Sequence, residues 1–195
     1  DAFRELTELA PSANAYSNLG AVLQLKGDLD GAADAFRRSL AIEPSSSAYS
    51  NLGTVHYFRG KYEDAVAEYA RATALTGQDQ SLWGNLADAL WQIAGRRDEA
   101  GGYYRRAIAL AERQLESSPQ DYLLVAQLGY YYGRVDDPER SRRYLERAAV
   151  ARDDPHVAYY LAVAAADRGD PASREWVAEA QRRGYPETLL RADPS

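Results

Sequence analysis

The chain has 195 residues, 46% hydrophobic and 27% charged, with a net charge of −6. That apolar share is enough for one continuous core, and the acidic balance argues against a general binder of nucleic-acid phosphates, which needs a basic face. Cysteine is absent, which excludes disulfides, thiol catalysis and cysteine metal sites, and no apolar run approaches membrane-spanning length.

Taken from the N-terminus, the pattern is a repetition. Ala15-Tyr16-Ser17-Asn18-Leu19-Gly20 returns as Ala48-Tyr49-Ser50-Asn51-Leu52-Gly53 at an offset of 33, and again, degraded, as Leu82-Trp83-Gly84-Asn85-Leu86-Ala87. Residues 1–12 match the second half of a unit that begins earlier: Phe3 and Leu6 stand where Tyr69 and Ala72 stand later, and Pro11 closes the stretch as Pro44 does. The chain therefore reads as a piece of a larger protein that starts mid-repeat. Residues 13–45 form a first complete unit and 46–79 a second. In the second, Tyr49, Leu52, Gly53 and His56 make one helical stripe, Gly60-Lys61 breaks it, and Ala65, Tyr69, Ala72 and Leu75 make another. Each unit is thus two amphipathic helices joined by a tight turn.

The third unit, 80–121, is longer. From Leu86 to Leu128 the spacing stretches beyond the period, and residues 107–115 contain no helix breaker before Pro119, so its second helix is expected to overrun by about two turns. Residues 122–154 form the fourth unit, opened by Leu128-Gly129 and Tyr132. Residues 155–184 form the fifth, opened by Leu161-Ala162. The second helix of the fifth unit can pack through Ser173, Val177 and Ala180 or, one residue on, through Arg174, Ala178 and Gln181, the first set being the more plausible. Asp137-Pro138, Asp154-Pro155 and Asp170-Pro171 each place an N-cap acid before a proline suited to the first helical position. The Tyr130-Tyr131-Tyr132 run sits inside a helical stripe despite its β propensity. Residues 185–195 read as a capping tail in which Leu189-Leu190 folds back.

Aromatic, Leu-Gly, Ala, aromatic and Pro at a period near 34 resemble the tetratricopeptide repeat. The resemblance implies an all-α, tetratricopeptide-type α-solenoid: a right-handed superhelix of antiparallel helix hairpins forming one array, whose leading helices line a concave groove. The expected function is a protein–protein interaction scaffold that holds a peptide or protein segment there. The alternatives are an assembly module self-associating through the truncated N-terminal repeat, and a regulatory or recruitment domain of a larger enzyme or transcription regulator. Scarce lysine (Lys26 and Lys61 only) and abundant alanine suggest a high-GC bacterial genome. The compartment is left open, the cytoplasm being favoured over the periplasm.

Nothing converges for catalysis. His56 occupies the slot held by Leu23, Leu90 and Tyr132 in sister units, so it reads as core. His156 follows Pro155 in a first turn and reads as exposed. Neither has a neighbour at metal-ligand spacing. The chain therefore reads as a non-enzyme, without cofactor, metal or nucleic-acid partner. The Arg140, Arg142, Arg143 and Arg147 cluster is interleaved with Glu139 and Glu146 and reads as a solvated helix face.

The resemblance assigns the residue before each Leu-Gly pair to the groove: Asn18, Asn51 and Asn85, then Gln127. A carboxamide can both donate to and accept from a backbone amide, so a row of them suits an extended chain. Thr54, Tyr57, Asp88, Trp91, Tyr130 and Arg134 complete the expected binding surface, the aromatics offering anchors for apolar side chains. Ser17, Ala21, Asn51, Ser81 and Asn85 stand where repeats that clamp acidic chaperone C-termini place cations. That specificity is therefore not expected.

Overall fold

The computed structural model of the chain describes residues 11–187, and all of their regular structure is helical. The helices are α1 (Ala13–Leu25), α2 (Leu29–Ile42), α3 (Ser46–Phe58), α4 (Tyr62–Leu75), α5 (Gln80–Trp91), α6 (Arg97–Ser117), α7 (Tyr122–Arg134), α8 (Pro138–Ala148), α9 (Pro155–Asp167) and α10 (Ser173–Arg182), with one 3₁₀ turn at Ala149–Ala151. The expected half-helix with Phe3 and Leu6, and the Leu189-Leu190 cap, lie outside the described residues.

Starts and stops follow local chemistry. Ser12, Asp28, Ser45, Asp121 and Asp137 each accept a hydrogen bond from a backbone N–H in the first turn of the helix that follows. Asp154 does so twice, from His156 and Val157. Asp170 departs from expectation. It caps Ala172 in a turn, and α10 begins only at Ser173, so Pro171 sits outside the helix. The hairpin turns need a left-handed residue, supplied by Gly27, Gly60, Gly95 and Gly169. The fourth turn has no glycine there. Asp136 takes the conformation with φ of 60°, and Asp is among the few side chains that tolerate it.

The chain divides into two compact units, with the division inside α6 at Ala100–Gly101. In the first, α1 packs on α2 and α3 on α4; α2 and α4 then pack on the leading helix that follows, and α1, α3 and α5 lie side by side. Each hairpin is locked by a missing side chain. A methyl group on Gly20 would sit 2.7 Å from the Phe36 ring, and one on Gly53 would sit 2.9 Å from the Tyr69 ring. Phe36, Ala32 and Ala65 are fully buried. In the second unit α7 packs on α8, α9 on α10, and α7 beside α9. There the lock is Gly129 against Leu145, at 2.7 Å from a hypothetical Cβ. Helix α6 runs 21 residues, against 14 each for α2 and α4. In α10 it is Ala180 that is fully buried, while Arg174 and Gln181 are exposed, which settles the alternative left open by the pattern.

Candidate functional site

In the first unit the leading helices α1, α3 and α5 are almost free of charge: one carboxylate, Asp88, and no Lys or Arg. Their companions α2 and α4 carry the charges, so the polar character of the leading face comes from amides and hydroxyls. Asn18 is exposed and Asn51 and Asn85 are half-buried. None of the three side chains makes a hydrogen bond among the described residues. They occupy one register on three neighbouring helices.

The other expected residues of this unit are partly engaged. Thr54 Oγ1 donates to the Ser50 carbonyl (3.0 Å) and shares a bond with the Tyr69 hydroxyl (2.9 Å). Tyr57 is half-buried, edge-on to Phe58 and Tyr62 at 5.8 and 5.6 Å, and its hydroxyl accepts from Gln92 Nε2 at 3.4 Å. Trp91 is half-buried with the Arg97 guanidinium 4.9 Å from its ring centroid. Asp88 is half-buried. Polar amides at mid-helix on all three, with aromatics at the ends of α3 and α5, give a face able to hydrogen-bond a main chain and to flank apolar side chains.

The second unit corrects the expectation for Gln127, Tyr130 and Arg134. Gln127 is buried, not presented, because its Nε2 donates to the Tyr160 hydroxyl at 3.2 Å. Tyr130 is 5% exposed and packs on Tyr104, Tyr131 and Tyr160 at 5.7–6.2 Å. The Arg134 side chain is 8% exposed, stacked 5.0 Å over Tyr130, bonded through Nε to its hydroxyl and paired with Asp167 at 3.1 Å. Side chains of α9, with Tyr104 of α6, thus engage these residues of α7. The repeat period gives the missed partners: Gln127 with Tyr160 and Arg134 with Asp167 are both 33 residues apart, equal registers in successive units. On the other side of α7, Tyr132 stacks on Tyr144 at 5.5 Å, donates to Glu112 and accepts from Arg140. Burial first, then the bond to Glu112, pushes its hydroxyl up to about 12, so it stays a neutral donor.

His56 is core, as its register implies, and His156 is exposed. No group of three or more His, Asp or Glu side chains among the described residues is arranged to hold a metal ion. No helix among them is long and apolar enough to cross a membrane.

Tandem helical hairpins with small-for-large packing at a fixed period define a repeat protein of the helix–turn–helix class. The chain belongs to the tetratricopeptide repeat family, whose profiles match residues 11–78, 50–119 and 127–187. No curated protein sequence matches it. Solved structures similar in fold include TTC0263, a thermophilic repeat protein of Thermus thermophilus, at 20% identity, TM-score 0.65, covering 92% of this chain and 96% of that one. YrrB, a repeat protein with an unusual peptide-binding site, aligns at 18% identity and TM-score 0.56, covering 100% and 99%. PilF of Pseudomonas aeruginosa aligns at 22% identity and TM-score 0.59, covering 94% and 79%. The fold is that of protein–protein interaction scaffolds, which are in general non-catalytic.

Proposed function

We propose that the chain holds an extended segment of a protein partner on the face shared by α1, α3 and α5. The carrying observation is the row of Asn18, Asn51 and Asn85, at one register on adjacent helices and without hydrogen bonds among the described residues. None of the three amides is buried, so their donors and acceptors can exchange water for a ligand main chain. Tyr57 and Trp91 flank the row as anchors, with Thr54 and Asp88 between. A fold shared with YrrB, which has a peptide-binding site, is in keeping with this reading. Gln127, Tyr130 and Arg134 are left out of the site because α9 engages them.

The test uses peptides selected from a displayed random library on the wild-type chain. Their affinity for the Asn51→Ala/Asn85→Ala double variant is then measured by calorimetry. Two lost amide contacts of about 1 kcal/mol each predict a weakening of about tenfold or more, with an unchanged melting temperature. Unchanged affinity at intact stability would place the site elsewhere.

A further inference from the structure

One buried titratable group is not used by the binding face. His56 lies on α3 with its side chain 8% exposed, and Nδ1 has no hydrogen-bond partner among the described residues. The carboxylate paired with it, Asp64 Oδ2 on α4, is 3.9 Å away. The same slot holds Leu23 in the first hairpin and Leu90 in the third, both buried. An imidazole there is a polar group in an apolar position, tolerated in its neutral form.

Three residues from the slot lies a joint. Arg59, the residue that ends α3, pairs with Asp30 at the start of α2 at 2.6 Å, tying the second hairpin to the first. The charges that act on His56 come from each side. Arg37 on α2 and Arg59 repel a cation there, whereas Asp64 and Glu68 on α4 attract one. Helix α1 carries no charged residue, and Asp88, the only one on α5, does not act on it.

We propose that His56 is a proton-sensitive wedge at the joint between the first two hairpins: neutral, it fills the apolar slot; protonated, it sets a cation there and loosens α3 against α2 and α4. Desolvation by burial is the largest influence on the group and holds it below its ordinary value of 6.5, outweighing the pull of Asp64. The sign follows. Above pH 6.5 both folded and unfolded chains carry neutral imidazole, and the joint has its full stability. As the pH falls below that value the unfolded or opened chain takes the proton first, and stability is lost until the folded-state value is passed.

The experiment is amide hydrogen exchange on the full chain from about pH 8 to about pH 5, corrected for intrinsic rates, above the range where ordinary carboxylates titrate. Opening of α2–α4 is expected to rise as the pH falls, by up to tenfold for each unit separating the folded and unfolded imidazole, while α7–α9 provide the internal reference. His56→Leu, the sister residue, is expected to abolish the rise in α2–α4. Asp64→Asn, which removes the largest attraction, is expected to enlarge it. Equal profiles for wild type and His56→Leu would overturn the proposal. If His56→Leu does not fold, an NMR titration of the wild-type imidazoles decides instead: a His56 midpoint at or above 6.5 overturns the wedge, and one below it supports it.

Discussion

The two units use one hairpin design and put opposite things on its leading face. In the first, the same register holds an asparagine three times over, and its amide makes no hydrogen bond among the described residues. In the second, the same register holds Gln127 and Tyr160, which bond each other, and Arg134 further along α7 meets Asp167. The difference is one of reach. A glutamine has one more methylene than an asparagine, and a tyrosine carries its hydroxyl further still, so the pair spans neighbouring helices. Two asparagines at the same register do not close that gap. A repeat architecture can therefore switch a surface from available to internally satisfied by changing side-chain length at one position.

The comparison presumes that the hairpins themselves are equally well locked, and this is where the largest effects are expected. Phe36 lies over Gly20 and Leu145 over Gly129, each at a distance that excludes a methyl group. Phe36→Ala is expected to lower stability by about 4 kcal/mol and Leu145→Ala by about 3 kcal/mol, from lost burial and the cavity left behind. Urea unfolding followed by circular dichroism measures both. A loss below about 1 kcal/mol in either would break the premise that both units stand on the same lock.

A middle-sized effect separates the faces directly. Arg134 is buried and Asp167 is about one-third exposed, so the pair lies between the surface and interior limits. Asp167→Ala removes a carboxylate partner from a buried guanidinium and is expected to cost about 2 kcal/mol. The same unfolding measurement checks it.

Much of this was legible in the order of residues. The period placed the hairpins, whereas the seating of Phe36 on Gly20 and of Tyr69 on Gly53 is visible only in the packing. The core setting of His56 followed from the leucines at its register. What pattern did not reveal was the fate of equivalent positions. Gln127 shares the asparagine register, and only the partner's length decides whether a carboxamide is presented or consumed. Tyr130 and Arg134 were misread for a related reason: a groove position is defined by its own helix, but exposure there depends on how α9 packs against α7. The start of α10 slipped because Asp170 satisfied a turn rather than a helix, and both use the same side-chain bond.

The smallest expected effect tests the comparison most closely, since it changes one atom group at one register. Gln127→Ala removes the bond to Tyr160 and leaves that hydroxyl without it, which is expected to cost about 1 kcal/mol. Asn51→Ala removes an amide with no hydrogen bond among the described residues and should lie within about 0.5 kcal/mol of wild type. The converse exchange, Asn51→Gln with Asn85→Tyr, installs the second unit's pair at the first unit's register. Where the longer side chains meet, stability is held or raised by up to about 1 kcal/mol while the selected peptides lose affinity, both measured on one preparation by urea unfolding and calorimetry. Retained affinity with the new pair formed would show that the register is not what the ligand reads. The contrast between the two faces would then be a matter of packing alone.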